Sequence, residues 1–178
     1  LRFDSLSSQS DGTYQLIACN PLGCTTSAPI RLTLTSEAGP FVLESNNLGD
    51  GGQSSLRELV HDANALGGAT IVLTNLQGVV QLTRSLPVIE RDLSMVGPGT
   101  NQLQLQGGLQ GRGLAILSGV NCALSGISFN GFGGEESQAG GVIWNAGTLF
   151  VENCAFVTNR AIGRGGAIWN GGALQMKG

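Results

Sequence analysis

Near one end of this chain a single phrase is written almost twice. Gly140-Gly141-Val142-Ile143-Trp144-Asn145-Ala146-Gly147-Thr148-Leu149-Phe150-Val151 returns as Gly165-Gly166-Ala167-Ile168-Trp169-Asn170-Gly171-Gly172-Ala173-Leu174-Gln175-Met176, 165 − 140 = 25 residues later. A unit this short, rich in β-formers and punctuated by Gly and Asn, cannot bury a core by itself and must stack on copies of itself. The period predicts a solenoid of short strands, a parallel β-helix.

Upstream the same texture continues without the identity. From Ala69 on, apolar triplets arrive between Gly, Asn and Pro turns: Ile71-Val72-Leu73, Leu93-Ser94-Met95-Val96, Leu103-Gln104-Leu105, Leu114-Ala115-Ile116 and Ile127-Ser128-Phe129 among them. Strands of three or four residues fit about three strands per coil, with coils separated by the ~4.8 Å strand spacing. Cys122, Leu124, Ile127 and Phe129 align with Leu149, Val151, Cys154 and Phe156 at a constant offset, giving roughly five coils in all. In this alignment Cys122 and Cys154 occupy different positions, so no bridge is expected between them.

One segment breaks the pattern. Ser55-Leu56-Arg57-Glu58 reads as a capping box, Ser55 accepting from the first turn and Glu58 reaching back. Leu56, Leu59, Val60 and Ala63 follow on one helical face, and Gly67-Gly68 stops the helix. An open solenoid end exposes both a core and a strand edge, so Ser55 to Leu66 is expected to be the cap that covers it.

Residues 1–35 read differently, as the C-terminal strands of an immunoglobulin-like β-sandwich, joined by a linker at 36–40 to a β-helix over 41–178. Leu1 to Leu6 alternates as a strand, and Asp11-Gly12-Thr13-Tyr14 resembles the tyrosine corner of such domains. Cys19 and Cys24 flank the turn Asn20-Pro21-Leu22-Gly23, where they are either bridged across a hairpin or two free thiols. A bridge would imply an oxidising compartment.

Composition narrows the function classes. The formal net charge is −3, and Lys177 is the single lysine. Nucleic acid is therefore not an expected partner. No run nears the ~20 apolar residues of a membrane span, so no membrane contact is expected of this segment. His61 stands alone and no Cys-x-x-Cys occurs; neither a metal nor a cofactor is expected. The polar loop around Asn46, Asn47 and Asp50 lacks the ligand spacing of a calcium repeat. The sequence reads as an excerpt of a longer chain.

Gly165-Gly166-Ala167-Ile168 and Phe156-Val157-Thr158-Asn159 resemble the Gly-Gly-Ala-Ile and Phe-x-x-Asn repeats of polymorphic outer membrane proteins and related bacterial surface β-helices. Ser55-Leu56-Arg57-Glu58-Leu59 with Ala63-Asn64, followed by Leu93 to Gly99, resembles the CSLREAI-type region of secreted pectin-lyase-like β-helix proteins; the Cys naming that motif is Ser54 here. The resemblance implies a right-handed parallel β-helix of pectin-lyase type with one N-terminal capping helix. It also implies an extracellular or cell-surface bacterial protein whose partners are other surface proteins, copies of itself or carbohydrate. The same fold hosts lyases and hydrolases, so it cannot choose between a rod that adheres or self-assembles into a surface fibre or layer, a polysaccharide-active enzyme and a carbohydrate-binding module, the last two with key residues beyond residue 178.

Few residues carry chemistry of their own, and no catalytic residue is assigned. Glu135 and Glu136 form an adjacent pair in a Gly-rich loop, either a cation or catalytic pair or solvated surface. Arg160 and Arg164 are candidates for an acidic sugar, with solubility as the plainer role. Trp144 and Trp169 share a position one coil apart; facing outward they would offer a platform for sugars or a partner, facing inward a core ladder. The inward reading is preferred, with Asn145 and Asn170 as a neighbouring amide ladder.

Overall fold

The structure, a computed structural model, describes residues 12–32, 41–108, 111–133 and 139–178. The chain divides into two compact units, Leu1–Gly39 and Pro40–Gly178. In the first, β1 (Gly12–Tyr14) pairs antiparallel with β4 (Ile30–Leu32), and between them β2 (Ile17–Asn20) and β3 (Gly23–Thr26) form a hairpin. Cys19 faces Cys24 in the hairpin register and the two are joined by a disulfide. Asn20 Oδ1 accepts the Leu22 amide at 2.9 Å, an Asx turn that shapes the tip. The strand expected over Leu1 to Leu6 lies outside the described residues.

The second unit is a parallel β-helix of about five coils. It opens with β5 (Phe41–Glu44) and α1 (Leu56–Leu66), and then runs in coils. The first holds β6 (Ala69–Val72) and β7 (Gly78–Gln81); the second β8 (Leu93–Val96), β9 (Leu103–Gln106) and β10 (Leu114–Ile116). The third holds β11 (Asn121–Ser125), β12 (Ser128–Asn130) and β13 (Ile143–Asn145). The fourth holds β14 (Thr148–Glu152), β15 (Ala155–Val157) and β16 (Ile168–Asn170), and β17 (Ala173–Lys177) begins the next. Stacking produces three parallel sheets: a six-stranded sheet β5-β6-β8-β11-β14-β17, a four-stranded sheet β7-β9-β12-β15 and a three-stranded sheet β10-β13-β16. A bridge from Ile89 to Ile116 continues the third sheet into the first coil.

Alternation along each strand sends one set of residues inward. Registered pairing then lines these into columns through the stack. Ile71, Met95, Leu124 and Val151 form one such column, and Val80, Leu105, Phe129 and Phe156 another. All but Phe156 are buried, and the rings of Phe129 and Phe156 stack at 5.2 Å, 9° from parallel. The expected alignment of Cys122 with Leu149 and of Phe129 with Phe156 is the observed register. Cys122 and Cys154 are both free thiols, and burial pushes the Cys122 thiol up to about 12, helped by the Asp92 charge.

Helix α1 lies on β5 and β6 and buries the four expected side chains, Leu56, Leu59, Val60 and Ala63. Ser55 caps it by accepting the Glu58 amide at 3.3 Å, and Gly67 ends it in the left-handed region (φ 86°), its amide and that of Gly68 returning to Asn64 and Ala63. The reciprocal half of the capping box is replaced: the Ser55 amide donates to the Gly52 carbonyl at 3.0 Å. Ser54, at the Cys position of the resembled motif, takes a positive φ of 58° while its carbonyl accepts the Ser45 hydroxyl.

Candidate functional site

The repeat motifs turn out to be devices for stacking backbone on backbone. Gly140 and Gly165 share a left-handed φ (65° and 66°), and a Cβ on either would meet the carbonyl oxygen three residues ahead, Ile143 or Ile168, at 2.1 and 2.2 Å. A Cβ on Gly141 would stand 2.2 Å from the Gly166 carbonyl oxygen of the following coil. Ala167 and Ile168 are half-buried against the core. In the Phe-x-x-Asn motif, Phe156 extends the core ring stack while Asn159 reaches back one coil, donating to the Phe129 carbonyl and accepting the Phe132 amide, both at 3.0 Å. Gly140, Gly141, Gly165, Phe156 and Asn159 thus each have a folding role of their own.

Two outward faces are built on this frame. On the three-stranded sheet, β13 alternates buried Ile143, half-exposed Trp144 and buried Asn145. The tryptophans accordingly stand outside the core, opposite to the inward reading, because the interior positions beside them are taken by Ile143 and the amide. Asn145 donates to Asn170 Oδ1 (2.6 Å) and the Ala173 carbonyl (2.9 Å) and accepts the Gly147 amide (3.1 Å), so this buried polar group is fully used. Trp144 and Trp169 stack at 5.3 Å, 8° from parallel, and a Cβ on Gly171 would collide with the benzo edge of Trp169 at 2.4 Å. Each indole therefore spends one face on its neighbour, and Trp169 presses an edge against the turn, which leaves little of a flat sugar platform.

The second face lies on the six-stranded sheet and was not anticipated. Here one outward column runs Ser94, Ala123, Phe150, Gln175 and the next runs Val96, Ser125, Glu152, Lys177. Small residues in the second and third coils, against Phe150 and the Glu152–Lys177 pair farther on, hollow out a groove of about 240 Å³ across four successive strands. Phe150 is 43% exposed although it stands in the middle of a sheet. Lys177 Nζ sits 2.7 Å from Glu152 Oε1, so the groove carries one cation and one anion, paired with each other. Residue type alone would not have found this face; reading the coil alignment outward instead of inward, so that Ala123 and Phe150 fall in one column, would have.

The other candidates are not gathered into a site. Arg160 and Arg164 are exposed, and both serve the stack through their backbones: the Arg160 amide donates to the Phe132 carbonyl and the Arg164 carbonyl accepts the Gly140 amide. Glu135 and Glu136 lie outside the described residues. Arg112, not singled out from sequence, donates to the carbonyls of Ala139 (2.8 Å) and Gly140 (3.1 Å), and burial pulls its pKa down. Beside the cap, Asp50 binds Arg57 and the hydroxyl and amide of Thr83; burial alone would raise its carboxyl, but these hydrogen bonds outweigh it and hold the pKa below the usual value. Arg57 also donates to the carbonyls of Arg84 and Ser85, and Asn64 clamps Val88 and Glu90, so α1 is tied to the chain passing beneath it. Among the described residues no group of three or more His, Cys, Asp and Glu side chains converges on a point where a metal ion could sit.

Set against known proteins, the chain matches no family model, no curated protein and no solved structure.

Proposed function

We propose that this chain is a structural and adhesive segment of a large secreted or cell-surface bacterial protein, of the type its Gly-Gly-Ala-Ile and CSLREAI-like motifs resemble. Its work is reach and presentation: a stiff rod that displays binding surfaces to other surface proteins or to copies of itself. The observation that carries this reading is the stack itself, in which Gly141, Phe156 and Asn159 of the repeat motifs are engaged in coil-to-coil contacts. The Cys19–Cys24 bridge supports an oxidising, extracytoplasmic setting.

The test is surface digestion of intact source cells with trypsin, followed by mass spectrometry of released peptides and of the native polypeptide. Peptides from this segment in the released fraction, with Cys19 and Cys24 oxidised and the parent extending over many more such coils, are expected. A segment protected until lysis and carrying reduced Cys19 and Cys24 would sink the proposal.

A further inference from the structure

The β2–β3 hairpin of the first unit carries its disulfide in the open. Every residue from Ile17 to Thr26 is exposed, Cys19 and Cys24 among them, so no core shelters the bond that joins the two. A disulfide is cleaved by a thiolate that approaches one sulfur from the side opposite the other, so access along the bond governs the reaction. Cys19 stands directly opposite Cys24 in the register, and the bond therefore runs across the strand pair. In a broad sheet the side chains of flanking strands would obstruct both lines of approach. Among the described residues this sheet has two strands, and both lines are open. The two sulfurs are not equivalent, however. Alternation sets Ile17 beside Cys19 and Thr26 beside Cys24 on the same face. Ile17 is the bulkier neighbour, while at Gly23, next to Cys24 in the chain, a Cβ would meet nothing within 4 Å. Cys24 is the less crowded target. Hydrogen bonds independent of the sulfurs close both ends of the hairpin. At the tip Asn20 Oδ1 accepts the Leu22 amide at 2.9 Å; at the base the Ser27 amide donates to the Leu16 carbonyl at 2.9 Å and the Leu16 amide to Ser27 Oγ at 3.0 Å. With the strands held this way, a released Cys19 stays beside Cys24.

We infer that the Cys19–Cys24 bridge is a thiol-exchange site, which takes up a small external thiol on Cys24 while the chain stays folded. The incoming thiolate bonds to Cys24 Sγ as the bond to Cys19 breaks. The electron pair leaves on Cys19 Sγ, which picks up the proton that the incoming thiol gave up. The products are a mixed disulfide on Cys24 and a free thiol on Cys19, with no net oxidation. Attack by Cys19 on Cys24 reverses the step and returns the small thiol, so the hairpin is a reversible, redox-responsive element. The other two cysteines differ in access: Cys122 is buried and Cys154 half-buried. The inference needs the bridge and not the rod.

The experiment treats the oxidised 178-residue chain with reduced glutathione, in native buffer and in concentrated urea, quenches with N-ethylmaleimide and maps the adducts by peptide mass spectrometry. Loss of the bridge in native buffer is expected within about tenfold of its rate in urea, because exchange needs no opening of the fold. Glutathione should be found on Cys24 and N-ethylmaleimide on Cys19, with the reverse pattern at least about tenfold rarer. Ile17→Ala, which uncrowds Cys19 without touching the sulfurs, should bring the two patterns closer to equal. Removal of glutathione before the quench should restore the bridge. The inference is overturned by a native rate more than about tenfold below the rate in urea, by glutathione shared equally or placed on Cys19 in the unaltered chain, or by a pattern indifferent to Ile17→Ala. Such a failure leaves a purely structural bridge and does not touch the rod, which surface digestion decides separately.

Discussion

The two ends of the β-helix reach the same stacked geometry by different means. Under α1 the coils share almost no sequence. Leu56, Val60, Ile71 and Met95 are buried to within 1% exposure, and the polar clamps of Arg57 and Asn64 tie cap to coil. Around β13 and β16 the coils are nearly identical, and packing relies on glycines that bring backbones together, on an amide ladder and on paired indoles. Column stacking therefore needs only size and polarity in register; sequence identity is one way of supplying them. The unique end also needs a helix, which has no counterpart to repeat.

The largest effect should come from breaking the unique end. Leu56→Ala leaves a hole between α1 and β6 and is expected to cost about 2–5 kcal/mol in urea unfolding. A loss below about 1 kcal/mol would mean that the cap is peripheral to the core. Next is Asp50→Asn, which removes charge-assisted hydrogen bonds worth roughly 1.5–3 kcal/mol. Because the folded Asp50 pKa is lowered, its contribution is full above the unfolded carboxylate value near ~3.9 and fades as pH falls through the lower folded value. Wild type and variant should differ at neutral pH and converge in strong acid; parallel curves would show that the carboxylate charge is irrelevant.

At the repeated end, Gly141→Ala should cost about 1–3 kcal/mol by forcing coils apart. Gly166→Ala is the control, since a Cβ there has its nearest contact at 3.4 Å, with the Asn159 carbonyl, and should change stability little. Equal losses at both positions would refute the backbone-contact account. Smallest is Trp144→Ala, about 0.5–1.5 kcal/mol for a stacked aromatic pair. The chain holds two tryptophans, so an exciton couplet in circular dichroism belongs to this pair and should vanish in the variant.

Much of this was legible beforehand for a physical reason. The offset that aligns Cys122 with Leu149 and Phe129 with Phe156 is the observed register, because these inward columns are filled by apolar residues coil after coil. The face of α1 and its two stops were equally readable, since periodicity and capping are local. The tryptophans were not. A strand shows which residues alternate but not which set faces in, and the habit of solenoids to stack like residues inside pointed to the wrong set: Asn145, a polar residue, holds the interior place because the ladder satisfies its amide. The groove was hidden likewise, being a difference in height between side chains tens of residues apart.

By itself the sequence determined the period, the parallel stack and the cap, because each follows from repeat length or helical periodicity. Only the tertiary structure decided the orientation of Trp144 and Trp169, the clamps that Arg57 and Asn64 make, and the hollow between Ala123 and Phe150. Those depend on which side of a closed coil is inside, and on neighbours that meet only once the coils are stacked.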